Sequence, residues 1–299
     1  MTQTLQPQRD LFASNAPPPA AALAGVVVRP DLPPRLQHLE IRGNVGLVEQ
    51  LGRSLGIAIV GARAASRAGL DWARALAEEV AREGEIVVSG GALGIDGAAH
   101  EGALAAGART VVVLGTGVDV VYPLRHGPLF HQVVAHGGAL VSPFPAGTAA
   151  LPGRFPTRNP LIAALSRAVV VVEASARSGS LGTGQAALEQ GKPLHCRPGS
   201  PGCDLLLSRG ARPASSVEAL VAALFGRPPP AAPIVDAAHA RVLSALSAAP
   251  LSIEELSLAT HVALDELLCL VLELEASRRL IRLPDGRCLA TCSPTDPKE

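Results

Sequence analysis

The feature that most limits what this chain can fold into is a series of short, β-branched apolar runs, each separated from the next by helical sequence. The runs are GIAIVG (56–61), EIVVSG (85–90), TVVVLG (110–115), GALVS (138–142), AVVVVEA (168–174) and PLHCR (193–197). Their hydrophobicity is continuous rather than alternating, which means strands buried on both faces. Amphipathic stretches such as GLDWARALAEEVAREG and IDGAAHEGALAAG supply the cover. Strands of this kind belong to parallel sheets. The expectation is an α/β fold, with a doubly wound, mostly parallel Rossmann-like sheet over residues 36–225. Residues 1–35, rich in Pro, Ala and Gln, read as a flexible leader, and 226–234 as a Pro-rich linker. Beyond the linker, AAHARVLSALSA, SIEELSLAT and ALDELLCLVLELEAS read as three helices. The second opens on a capping box from Ser252 to Glu255. LIRL-PDG-RCLA reads as a hairpin turning at Pro284-Asp285-Gly286. Three helices and a hairpin make a small C-terminal winged-helix domain over 235–292, followed by a tail, 293–299.

Composition narrows the function classes. Only 2% of the chain is aromatic, which excludes binding by many aromatic platforms under successive bases. The formal net charge of zero divides unevenly. Residues 1–229 hold 20 Lys+Arg against 16 Asp+Glu, and 230–299 hold 6 against 10, so a polyanion is expected on the first part. Nineteen of those 20 cations are arginines, suited to forked phosphate contacts. The five cysteines (Cys196, Cys203, Cys269, Cys288 and Cys292) show no C-x-x-C pair and read as reduced thiols. The start, MTQTLQPQRDLF, is not a secretory signal, and no apolar run is long enough to span a bilayer. A cytoplasmic protein with no membrane partner is expected.

Ligands of open α/β sheets bind at the carboxyl ends of the strands, where helix N-termini offer unpaired N–H groups. Three turns there carry candidate residues. The first runs from Gly61 through Arg63 and Ser66 to Gly69. Arg63 stands where a dinucleotide fold needs its second glycine, and its side chain suits a backbone phosphate better than a pyrophosphate. An ordinary surface arginine is the alternative. The second turn contains Ser89, Gly90, Gly91 and Gly94, followed by Asp96, read as a helix-cap acceptor, and His100, read as a packed histidine. The third contains Arg177, Ser178, Gly179 and Ser180, and GRFPTRNPLIAALS adds Arg154, Arg158 and Asn159. Gly191-Lys192 is followed by Pro193, so no Walker A loop is present. No catalytic constellation, metal-ligand spacing or cofactor motif emerges.

These blocks, in this order, carry a resemblance. They are Ile59-Val60-Gly61-Ala62-Arg63, the SG-x-A-x-GID-x-x-AH block from Ser89 to His100, Tyr122-Pro123, Phe155-Pro156 with Arg158-Asn159, and RSGSL from Arg177 to Leu181. Over about Leu32 to Ala290 the chain resembles the DNA-processing protein A (DprA/Smf) family. The resemblance implies a Rossmann-like domain that binds single-stranded DNA, forms homodimers and loads a RecA-type recombinase in natural transformation and homologous recombination, without enzymatic turnover or a cofactor. By position, Arg63 matches the DNA-binding arginine of the family's G-[ST]-R motif. Arg158, Asn159 and the neighbouring Arg154 fall in its basic FP-x-RN segment. Ser89, Gly90 and Gly94 line the same pocket, and Gly61, Ser66 and the Arg177–Ser180 loop join them. The chain departs from the pattern at Ala62, Pro143, Pro160 and Asp204, and only the leader stands where many members carry an N-terminal helical domain. Pro160 replaces a basic residue and removes one phosphate contact. The acidic winged helix is expected to contact proteins or regulate the main domain rather than hold DNA.

Two other functions compete. One is a nucleotide-phosphate hydrolase of the lysine-decarboxylase-like fold, whose PGG-x-GT-x-x-E loop is only partly echoed by RSGSLGTGQAALEQ. The other is a diverged regulatory paralogue that has lost DNA binding.

Overall fold

All six apolar runs form strands, and three further strands join them. The computed structural model describes residues 24–52, 55–228, 237–247, 249–276, 279–283 and 285–291. Its main sheet consists of β1 (Ala24–Val28), β2 (His38–Gly43), β3 (Ile57–Val60), β4 (Val87–Ser89), β5 (Thr110–Val113), β6 (Ala139–Ser142), β7 (Ala168–Val171), β8 (Leu194–Cys196) and β9 (Arg212–Pro213). The strand order is β1-β2-β6-β5-β4-β3-β7-β8-β9. Every pairing is parallel except β1–β2 and β2–β6. The chain therefore winds outward from β3 to β6, returns, and continues from β7 on the other side of β3. This doubly wound order puts the switch point between β3 and β7.

Helices cover both faces. The helices α2 (Arg67–Arg82), α3 (Ile95–Ala105), α4 (Gly127–Ala135) and α8 (Val217–Leu224) lie over the face carrying Ile57, Ile59, Val87, Val112 and Val170. The opposite face, with Ala58, Val60, Val88, Val111 and Val171, packs against α1 (Val45–Gln50), α5 (Arg154–Ala164), α6 (Ser180–Glu189) and α7 (Pro201–Leu207). Burial of both faces is why β3, β5, β6 and β7 read as unbroken apolar runs.

The expected leader, 1–35, ends earlier. Residues 24–28 pair with β2 as an edge strand, Val27 and Leu32 are buried, and Arg29 donates to the carbonyls of Val48 and Leu51 (both 3.0 Å). A segment whose backbone finds ladder partners and whose side chains find a core is held in place. Residues 1–23 lie outside the described residues, as do most of the linker (229–234), Pro284 of the hairpin turn, Cys292 and the tail.

The chain divides into two compact units at Pro229/Pro230. In the second, α9 (Ala237–Ala245), α10 (Ile253–Thr260) and α11 (Leu264–Ala276) surround Val242, Leu256, Leu267 and Val271, and β10 (Leu280–Arg282) pairs antiparallel with β11 (Cys288–Ala290). This is a winged helix. The capping box at its second helix is formed: Ser252 Oγ accepts from Glu255 N–H, and Glu255 Oε2 accepts from Ser252 N–H at 2.7 Å. No described helix is long and apolar enough to cross a membrane.

Candidate nucleic-acid interface

The loops following β3, β4 and β7 meet at the switch point, and the polar groups that bind them together belong to Asp96 and Glu173. Asp96, in the first turn of α3, is buried and accepts N–H donors from Gly61 (3.4 Å), Gly90 (3.1 Å) and Ala92 (3.4 Å). It thus joins the β3 and β4 turns. Burial pushes its carboxyl above the usual range, against the pull of Arg158 and those three amides. Glu173, after β7, accepts from Ser66 N–H (3.1 Å) and Ser66 Oγ–H (2.6 Å), while its carbonyl accepts from Ala62 N–H (2.7 Å). The β7 turn is thereby tied to the β3 turn.

Two glycines make this contact between loops possible. Gly94 has φ +84°, and a Cβ there would lie 2.2 Å from the Ala62 carbonyl oxygen. At Gly90 a Cβ would lie 2.3 Å from the Arg158 guanidinium. Both positions serve the approach of neighbouring parts of the chain rather than the approach of a ligand.

Arg158 explains that second requirement. It is 5% exposed and its Nη1 donates to the carbonyls of Gly90 (2.8 Å) and Val113, so it holds the ends of β4 and β5. Burial, outweighing nearby Asp96, lowers its pKa to about 10. Its Nε has no protein partner. Behind it His100 is fully buried and its Nδ1 lies 2.8 Å from Thr110 Oγ1. Because Thr110 Oγ1 donates its proton to Val87 O at 2.7 Å, His100 Nδ1 must be the donor to Thr110, which fixes a neutral tautomer. Burial first, then His126 and Arg158, hold the His100 pKa down at about 3.

Above this frame opens a crevice of about 1620 Å³. Its walls carry Arg63, Arg125, Arg158 and Arg177 as cations, with Asp96 and Asp119 as acids. Asp119 is occupied by Gly147 N–H at 2.7 Å. Among the described residues, Arg63, Arg125 and Arg177 are exposed and have no carboxylate within ion-pair range. The Arg63 guanidinium lies over the Phe155 ring, 5.5 Å from its centroid, and Tyr122 meets the same ring at 5.2 Å. Tyr122 remains 42% exposed, joined to Pro123 by a cis peptide. At the floor, Asn159 donates to Gly179 O (2.9 Å), and Ser178 and Ser180 hydroxyls lie 2.6 Å apart at the start of α6, which has no side-chain cap.

The expected site residues therefore separate. Gly61, Arg63, Arg158, Asn159, Arg177, Ser178, Gly179 and Ser180 line the crevice. Ser89 does not: it is fully buried and donates to Ile59 O at 2.6 Å. Gly90 and Gly94 stand behind the wall, in contact with other loops. Ser66 caps α2, accepting from Gly69 N–H at 3.0 Å. Arg154 bonds to Ala149 O and lies over Phe144, outside the crevice. Pro160 lies inside α5, where its carbonyl accepts from Gln190 at 3.0 Å. Tyr122 and Phe155 were not among the expected site residues. The signal available was position, since Tyr122 falls in the loop after β5 and Phe155 in the first turn of α5, both on the side of the strand ends.

Comparison with known proteins agrees with this layout. A family model described as DNA recombination-mediator protein A matches residues 30–225, and one described as DprA winged helix domain matches 226–286. Protein Smf of Escherichia coli (strain K12) is 43% identical over 164 residues, 53% of this chain and 44% of that protein. Protein Smf of Synechocystis sp. is 38% identical over 205 residues, 67% of this chain and 50% of that protein. The chain thus spans about half the length of the curated relatives it matches. Among solved structures, DNA processing protein A of Helicobacter pylori, for which a single-stranded DNA binding mode is described, aligns with a TM-score of 0.60 at 27% identity. That match covers 68% of this chain and 96% of the other. DprA of Streptococcus pneumoniae aligns with a TM-score of 0.59 at 32% identity, covering 69% and 74% respectively. With strands β2 to β9 and the crevice inside the first matched segment and the three helices of the winged helix inside the second, this chain belongs to the DNA recombination-mediator protein A (DprA/Smf) family.

Proposed function

We propose that the crevice binds single-stranded DNA and that the protein acts as a homodimer to place a RecA-type recombinase on it, as a recombination mediator without catalytic turnover. The observation that carries this reading is the pairing, in one crevice, of guanidiniums free of carboxylates with the exposed ring of Tyr122. Arg63, Arg125 and Arg177 offer forked donors to phosphates. Tyr122, resting on the half-buried Phe155, offers a ring for an unstacked base, which a duplex does not present. Arg63 lies over Phe155 and so stands next to that ring. Support for the mediator role comes from the family description and from the DNA-binding relative of known structure.

The hydrolase alternative gains no support from the geometry. Glu189, its nearest candidate acid, lies at the last residue of α6 and faces Gln185 at 3.2 Å, outside the crevice. The diverged-paralogue alternative is separated by experiment. Fluorescence anisotropy with dye-labelled oligo-dT should show tight binding that weakens with salt, and duplex of equal length should bind less well. Arg63→Ala should weaken single-strand binding tenfold or more, about 1.4 kcal/mol. Wild-type protein that fails to bind oligo-dT at low salt sinks the proposal.

A further inference from the structure

In the winged-helix unit, α11 is the third helix, the element that meets the major groove in winged-helix DNA readers. Its composition is unsuited to that role. Leu267, Leu270, Val271 and Leu274 are buried in the core, as an amphipathic helix requires. On the exposed side, however, Leu264, Leu268 and Leu272 follow one another at i, i+4 and i+8, and are 50%, 43% and 58% exposed. That spacing sets them in one ridge along the helix. Asp265, three residues before Leu268 and seven before Leu272, stands beside the ridge; Glu266 lies on the other flank of the helix, and both are exposed and without a basic partner among the described residues. Glu254 on α10 is exposed too.

The exposed side of α2 shows what an ordinary solvated helix in this chain looks like. There Arg67–Asp71, Arg74–Asp71 and Arg82–Glu78 pair at i, i+3 and i, i+4 spacing. Acids in the first turn of α11 are also favourable to the helix dipole, which accounts for where Asp265 and Glu266 stand. It does not account for three leucines in water. A ridge of this kind is a contact surface.

Charge selects the occupant. Carboxylates beside the ridge repel phosphates, and the unit as a whole holds 6 Lys+Arg against 10 Asp+Glu over 230–299. A second copy of the same helix would bring only acids to the ridge, since α11 holds no Lys or Arg. We infer that the Leu264–Leu268–Leu272 ridge, with Asp265 beside it on an acidic helix, docks an amphipathic helix of a partner protein whose apolar stripe is edged by lysine or arginine. Leucines would interleave, and the basic edge would meet Asp265 and the acidic surface around it.

The test uses the full chain and two fluorescein-labelled helical peptides of 18 residues. Both carry leucines at i, i+4, i+8 and i+11; one has arginines flanking that stripe and the other has glutamates in their place. The basic peptide should bind at least tenfold more tightly in an anisotropy titration. Leu268→Glu should weaken it tenfold or more with unchanged circular dichroism, and Asp265→Lys combined with Glu266→Lys should abolish the preference for the basic peptide. Cys269, exposed on the same helix, provides a check free of substitutions. Its alkylation by iodoacetamide, followed by mass spectrometry of the fragment that contains it, should slow when the basic peptide is bound. Equal binding of the two peptides, binding of neither, or a Leu268→Glu variant that binds as well as wild type overturns the inference. So does a Leu268→Glu variant whose only change is dissociation of a dimer, which would assign the ridge to a second copy. None of these readouts depends on whether the crevice holds DNA.

Discussion

The turns at the carboxyl end of the main sheet and the third helix of the winged helix hold corresponding positions in their folds, each on the side where that architecture usually meets a ligand. They are built from opposite materials. The crevice has a polar frame at its base, with Asp96, Glu173 and Arg158 engaged mainly with neighbouring loops, and it displays arginine and aromatic rings. The helix has an apolar core behind it and displays leucine and carboxylate. The first arrangement suits a chain of phosphates and unstacked bases; the second suits another protein. A winged helix appended to such a sheet therefore does not imply that the two units share a ligand.

The contrast can be broken most severely at Arg158. Arg158→Ala removes the partner of two buried carbonyls and leaves Asp96 buried without its neighbouring cation. Leaving a buried acceptor without its donor costs about 1–3 kcal/mol for each of the two carbonyls. Urea unfolding should show that loss in the first unit only, with the winged-helix transition unmoved. Next in size, Tyr122→Ala should weaken oligo-dT binding by about 1–3 kcal/mol in an anisotropy titration while leaving unfolding unchanged. An equal loss of stability would mean that the ring belongs to the frame rather than to the display.

Acid sharpens the comparison in a third way. His100 is held down at about 3 and His195 at about 4, in both cases first by burial, so each stays neutral in the folded unit well below the ordinary histidine value of 6.5. Between pH 6.5 and those lower values the unfolded chain binds more protons than the folded one. Stability contributed by each neutral histidine is complete above pH 6.5 and declines as the pH falls through that window. The slope is about 1.4 kcal/mol per pH unit for each. Urea midpoints of wild type and His100→Gln, compared between pH 7 and pH 5, should differ in slope, with the variant flatter. The smallest expected effect is that of truncation after Pro228, which should change oligo-dT affinity by less than about twofold, roughly 0.4 kcal/mol. A tenfold loss would assign part of the DNA contact to the acidic unit.

Much of this was legible in the sequence, and the exceptions share causes. The strands β3 to β7 announce themselves because burial on both faces leaves no polar residue inside them, and β8 carries a single buried histidine, His195. β2 was hidden because His38, Glu40 and Arg42 alternate with Leu39 and Ile41, giving a half-buried pattern too short to separate from a loop. β1 lay in a stretch dominated by proline and alanine, and only its ladder with β2 reveals it. At the site, residue type identified the neighbourhood but not the direction of each side chain. Ser89 ends one strand and Arg63 follows another, yet the hydroxyl of the first turns back to Ile59 and the side chain of the second turns out over Phe155. Asp96 could be read as a cap from its place beside Gly94, whereas its bonds to Gly61 and Gly90 needed the fold.

The interlocked turns have an evolutionary consequence. Gly94, Gly90 and Glu173 define the course of the backbone without facing whatever occupies the crevice, while Arg63, Tyr122, Arg125 and Arg177 face the occupant without defining that course. The mould is thus separable from its lining. A new lining can be tried by single substitutions at no cost to the mould, and each trial inherits a shape already rigid before its ligand arrives. A change in the mould, by contrast, has to move three loops together.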